Sequence, residues 1–85
     1  MIPLAEVQRL NRELADRVNR EARADPASPC VGKFVGIANG QVVSIKPTLR
    51  EVFSEVRRAE PEAARTGCIE ASRDYSVVEE IWESA

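Results

Sequence analysis

The chain has 85 residues, a net charge of −2 and 31% charged residues. A chain of this length makes one small domain, residues 1–85, and its apolar content is typical of a folded protein. It contains no histidine, which removes the commonest general base and metal ligand. We predict a cytoplasmic protein without a membrane anchor, because the start lacks a signal-peptide pattern and no stretch approaches the ~20 apolar residues of a membrane span.

The first predicted element is a long helix over residues 1–24, beginning at Pro3. Proline suits the first helical position because its missing N–H is not needed there. Apolar residues recur at steps of three and four along one face, which is typical of an amphipathic helix. Arg and acidic residues alternate on the opposite face at i,i+4 spacing, and we interpret that face as solvated.

A stricter three-four spacing lies within the apolar face and includes Asn11. A buried Asn at such a position sets register and oligomer state in coiled coils. The run covers only about two heptads, however, and an ordinary helix with Asn11 at the edge of its apolar stripe is the simpler interpretation. The residues of this run are Leu4, Val7, Asn11, Leu14 and Val18.

An Asn39-Gly40 pair between two apolar runs predicts a β-hairpin, because both residues tolerate the positive φ of a type I′ turn. Pro26 ends the preceding helix. The strands are predicted over Lys33–Ala38 and Gln41–Lys46. A two-residue turn would place Ala38 opposite Gln41.

The same two-residue turn would pair Gly36 with Val43 and Phe34 with Ile45. Both faces of the hairpin are then apolar, whereas a hairpin with one wet face alternates with polar residues. We therefore expect helices, from this chain or from a neighbour, on both faces.

A second helix is predicted from Thr48, which forms a capping box with Glu51. Pro61 ends it, and a short turn follows before a third strand over Cys68–Ser72. We place this strand beside strand one and antiparallel to it. Residues 30–72 then form a ββαβ unit.

A second capping-box pattern, Ser76 to Glu79, predicts a short C-terminal helix over residues 76–84. Ile81 and Trp82 would face inward with Val78. Trp82 either closes the core or is an exposed anchor for a partner. The predicted fold class is α+β: a long N-terminal helix, the ββαβ unit and this short helix.

The segment from Gly32 to Val43, followed by Thr48–Val52, resembles DUF5678, a small prokaryotic family of unknown function. The shared pattern is a Gly-Lys pair, an aromatic with alternating aliphatics, an Asn-Gly turn and a helix of Leu-Glu-Glu-Val type. The resemblance covers about residues 30–72. This chain has Phe34 where the family has Trp or Tyr, and its third strand is shorter. The resemblance implies a ββαβ core and supplies no catalytic residues.

These observations predict a non-catalytic protein–protein interaction module that forms a homodimer or binds a larger protein. A helix of about 22 residues is about 33 Å long, whereas a six-residue strand spans about 20 Å. The helix would overhang its own sheet and leave an apolar stripe for a partner. The predicted interface residues are Leu4, Val7, Asn11, Leu14, Val18 and Trp82.

Two other classes of function have weaker support. Catalysis is disfavoured because the candidate nucleophiles, Cys30, Cys68 and several Ser or Thr, have no base at a recognisable spacing. A nucleic-acid-linked regulator resembling an antitoxin would use the Arg residues of the first helix, but the interleaved acids cancel most of their field. No Gly-rich phosphate loop and no Cys-x-x-Cys pair is present, so we predict no cofactor and no metal. A redox role for the two cysteines stays open.

Overall fold

The computed structural model describes residues 2–73. Three antiparallel strands form one sheet in the order β2-β1-β3, and the helices flank it. The predicted α+β fold is confirmed, including the third strand beside the first. The predicted helix over residues 76–84 lies outside the described residues. The elements are α1 (Leu4–Ala24), β1 (Phe34–Ala38), β2 (Gln41–Lys46), α2 (Leu49–Ala59), a 3₁₀ turn (Ala63–Arg65) and β3 (Thr66–Glu70).

Prolines set both ends of α1. Pro3 is the N-cap rather than the first helical residue, with φ −58 and ψ 150, and its carbonyl accepts the Val7 N–H at 3.1 Å. Asp25 ends the helix in an extended conformation, because the ring of Pro26 disfavours the helical conformation at the residue before it.

The hairpin turn has the predicted geometry. Asn39 has a φ of 52° and Gly40 a φ of 77°, both in the left-handed region that a type I′ turn requires. The first two pairs after the turn, Ala38 with Gln41 and Ile37 with Val42, also follow the prediction.

Beyond these pairs the predicted register is wrong, because β2 contains a bulge. Gly36 pairs with Ser44 instead of Val43, and Phe34 pairs with Lys46 instead of Ile45. Val43 is the extra residue on the bulged strand. Since one residue of shift moves a side chain to the other face of a sheet, the bulge brings Ser44 under α2 and moves Ile45 to the opposite face.

The second helix packs closely on the sheet over Gly36. Its buried residues are Val52 and Val56, and a Cβ on Gly36 would lie 2.3 Å from Val56 Cγ2 and 2.9 Å from Val52 Cγ1. Only glycine permits this approach. The predicted cap is confirmed: Thr48 Oγ1 accepts the Glu51 N–H at 3.3 Å.

The main apolar cluster lies on the other face of the sheet, between α1 and the strands β1 and β3. Its side chains are buried or nearly so, which fits the apolar stripe predicted for the first helix. Its buried members are Val18, Ala22, Val35, Ile37 and Ala71.

The third strand begins two residues earlier than predicted, at Thr66 rather than Cys68. The 3₁₀ turn ends at Arg65, and the chain enters the sheet at once. Gly67 lies inside the strand instead of preceding it. A Cβ at Gly67 would meet nothing within 4 Å, so this glycine is not needed there for space.

Candidate interaction surface

The structure places most of the predicted interface inside this chain. Val7, Asn11 and Val18 are buried, and Leu14 is half-buried against the main apolar cluster. Leu4 is exposed, and Trp82 lies outside the described residues. The apolar stripe of α1 therefore covers the chain's own sheet, and in this conformation its three buried residues do not face a partner.

Asn11 connects α1 to two other parts of the chain. Its Nδ2 donates to the carbonyl of Arg65 at 3.0 Å, and its Oδ1 accepts the N–H of Gly40 at 2.7 Å. These bonds fix the helix to the hairpin turn and to the segment before β3. They satisfy a buried amide within one chain, without the helix pairing that its spacing also suggested.

Two further amides of α1 donate to the segments that flank β3. Gln8 Nε2 donates to the carbonyl of Ala64 at 3.3 Å. Asn19 Nδ2 donates to the carbonyls of Ala71 and Arg73, both at 2.8 Å. The sequence does carry a signal for these contacts, because amide side chains recur beside the apolar stripe of α1. Among them, only Asn11 was singled out from the sequence.

The face of β2 on the α1 side is exposed. Val42 is 40% exposed and Ile45 is 37% exposed. Val42 and Ile45 pair with the buried Ile37 and Val35, so they share a face with the main apolar cluster. The helix α1 packs mainly on β1, β3 and the 3₁₀ turn and leaves these side chains uncovered. We call Val42 and Ile45 the β2 strip.

A polar cluster holds α2 against β2 on the other face. Ser44 Oγ donates to the Glu55 carboxylate, and Lys46 Nζ lies 3.5 Å from Glu55 Oε1. The hydrogen bond from Ser44 is the main cause that lowers the pKa of Glu55, and the positive charge of Lys46 adds to it. Ser44 is only 6% exposed, so we assign its hydroxyl to this structural contact. The sequence did not reveal the cluster, because the predicted register placed Val43 at this position.

The second exposed apolar surface lies on α2. Leu49 and Phe53 belong to its predicted apolar stripe, yet they are exposed while Val52 and Val56 are buried. They lie one helical turn apart and share their surface with two cations and a serine. We call this surface the α2 outer face; its residues are Leu49, Arg50, Phe53, Ser54 and Arg57.

The two cysteines are free thiols in different surroundings. Cys30 packs against the main apolar cluster, whereas Cys68 pairs with Gly36. Burial raises the pKa of the Cys68 thiol, which disfavours the thiolate that a nucleophile needs. Within residues 2–73, no group of three or more His, Cys, Asp or Glu side chains is arranged to hold a metal ion.

Comparisons with models of known protein families, with curated proteins and with solved structures gave no match. The resemblance to DUF5678 therefore stays a prediction from the sequence. In the described part of the chain, no helix combines the length and apolar character needed to cross a membrane. The β2 strip and the α2 outer face are the surfaces from which we argue function.

Proposed function

We propose that this protein is a small non-catalytic interaction module that self-associates through the β2 strip. One observation supports this most directly: α2 covers β2 on one face of the sheet, whereas α1 stops short of β2 on the other. Val42 and Ile45 are left exposed beside the main apolar cluster. An exposed apolar patch next to a core usually marks a contact surface.

A second copy of the chain fits this strip by its chemistry. The strip contains no charged residue, so two copies can meet without bringing like charges together. In a two-fold dimer the same patch faces itself, and two sheet faces pack about 10 Å apart. Such a dimer would cover the strip on both copies.

The interface uses the face of β2 rather than its free edge. The bulge at Val43 twists the strand and disturbs the regular spacing of its backbone groups. Bulges and terminal lysines, such as Lys46, are features that protect edge strands from pairing with another chain. Face packing keeps the bulge and still buries the apolar side chains.

Sedimentation equilibrium of the full chain and of Val42→Lys tests the proposal. We expect the wild-type mass to rise toward that of a dimer with concentration, and the variant to stay a monomer because a lysine would have to be buried in the interface. Val31→Lys is the matched control, since Val31 is 37% exposed and lies in the loop before β1.

The control variant should associate like the wild type. Far-UV circular dichroism would establish that both variants keep the fold. A wild-type chain that stays monomeric at high concentration would contradict the proposal, and so would equal effects of the two substitutions.

A further inference from the structure

We propose that residues 74–85 of this chain dock on the α2 outer face. Phe53 is 51% exposed there and Leu49 is also exposed, whereas Val52 and Val56 of the same helix are buried against the sheet. The face offers two apolar side chains one turn apart, which is the spacing that an amphipathic helix recognises.

The charges of the two surfaces are complementary. Arg50 and Arg57 lie on either side of Phe53 on the α2 outer face. Among residues 2–73, neither forms a salt bridge with a carboxylate. Residues 74–85 contain four acids and no Lys or Arg. The acids are Asp74, Glu79, Glu80 and Glu83.

The segment begins close enough to reach this face. Glu70 of β3 pairs with Phe34, and Phe34 pairs with Lys46. The strand β3 therefore ends where β2 ends and α2 begins, about two strand spacings or about 10 Å away. The segment itself follows Arg73, whose carbonyl accepts Asn19 Nδ2 of α1 at 2.8 Å, so it leaves from the α1 side and must also pass the end of the sheet, about 10 Å more. About four or five extended residues span the combined distance, which leaves the part from Val78 onward to lie on α2.

The apolar residues of the segment match the exposed pair on α2. Val78, Ile81 and Trp82 recur at helical spacing, so one face of a helical turn over these residues would carry all three. A tethered segment has an effective concentration in the millimolar range. Docking within the chain therefore has an advantage over docking of a free second copy.

Fluorescence of Trp82 tests the proposal, because it is the only tryptophan. In the full chain we expect emission at short wavelength and protection from acrylamide quenching. Phe53→Glu should shift the emission to longer wavelength and increase quenching, because the acid repels the acidic segment and removes its apolar contact. Val31→Glu is the control, because it also replaces an exposed apolar residue by an acid but lies elsewhere in the chain. It should leave the emission wavelength and the quenching of Trp82 unchanged. Far-UV circular dichroism checks that both variants fold.

A second pair of variants tests the charges. Arg50→Glu with Arg57→Glu should expose Trp82, whereas Arg12→Glu with Arg20→Glu, the same charge change on exposed positions of α1, should not. The proposal is overturned if Trp82 is as exposed in the native chain as in urea, or if both double variants act alike. It is also overturned if protection falls on dilution, since a second copy would then supply the segment.

These measurements are repeated in Val42→Lys, the variant expected to be monomeric. Protection of Trp82 in that monomer supports docking within one chain independently of self-association. Loss of protection there, with the fold intact, overturns it. If sedimentation shows that the β2 strip is not an interface, the fluorescence of Trp82 is expected to be the same. The two proposals can therefore fail separately.

Discussion

The two faces of the sheet are covered by different means. Only Pro47 and Thr48 separate β2 from α2, so α2 must lie over the strand that precedes it. The helix α1 is joined to β1 by the longer loop 25–33, and amide hydrogen bonds hold it toward β3. A short connection dictates where a helix lies, whereas a long one leaves the position to side-chain contacts. This difference explains why β2 is covered on one face and exposed on the other.

Substitutions on the two faces should therefore destabilise the fold for different reasons. The α2 face depends on close packing over a residue without a side chain, Gly36. The α1 face combines the main apolar cluster with polar anchors, of which Asn11 is the most buried. Substitutions on each face can separate the contribution of shape from that of hydrogen bonding.

The largest effect is expected for Gly36→Ala. The added Cβ would lie 2.3 Å from Val56 Cγ2 and 2.9 Å from Val52 Cγ1, so α2 must move away from the sheet. Overpacking of this kind destabilises a protein by about 3 kcal/mol at its upper range. Urea denaturation measures the free energy of unfolding.

Gly67→Ala is the matched control, because a Cβ at Gly67 meets nothing within 4 Å. We expect it to be neutral or to stabilise by up to about 1 kcal/mol through the unfolded state. Equal losses at the two glycines would contradict the idea that shape alone requires Gly36.

Asn11→Ala should have the next largest effect. It leaves the Gly40 N–H without its partner, whereas the Arg65 carbonyl still accepts the N–H of Asn39 at 3.0 Å. An unpaired buried group of this kind costs about 2 kcal/mol. Gln8→Ala is the control on the same helix: Gln8 is exposed and donates one hydrogen bond, so we expect a loss of about 0.5 kcal/mol or less.

The concentration dependence of this loss distinguishes two roles for Asn11. If Asn11 is an internal anchor, Asn11→Ala should lower the free energy of unfolding by the same amount at all protein concentrations. If Asn11 instead acted at a dimer contact, the loss in stability would depend on protein concentration, and our assignment of its bonds would fail.

The smallest effect is expected for Glu55→Gln, and it should depend on pH. The Ser44 hydrogen bond and Lys46 lower the pKa of Glu55 in the folded chain. A lowered pKa contributes stability above the ordinary Glu value of 4.5, and this contribution disappears as the pH falls through the lowered value. The stability advantage of the wild type over the variant should therefore be constant near neutral pH and shrink in acid.

Urea denaturation of both proteins between about pH 7 and about pH 3 measures this difference, because the range brackets the ordinary carboxyl pKa. An advantage that stays the same across the whole range would show that the charge of Glu55 does not hold α2 to β2.

Local signals in the sequence were reliable guides to the fold. The Asn39-Gly40 turn, the Thr48 cap and the Pro26 helix end each depend on neighbouring residues alone, and each was predicted. The bulge at Val43 was missed because no local residue requires it; it places Ser44 where Glu55 of α2 can accept its hydrogen bond. Most of the residues predicted for an interface on α1 are buried within the chain itself, which their spacing alone does not distinguish from burial against a partner.

The order of the elements, the turn and the amphipathic faces all follow from local sequence patterns, because backbone preferences and hydrophobic periodicity act over a few residues. Which apolar residues stay exposed follows instead from the packing of the helices on the sheet. That choice depends on where α1 and α2 lie over the sheet, and contacts distant in sequence, such as those of Asn11 with Gly40 and Arg65, hold α1 in place. A stripe of valines and leucines has the same sequence pattern whether it faces the interior or a partner. Whether it is buried or exposed is therefore a property of the folded chain.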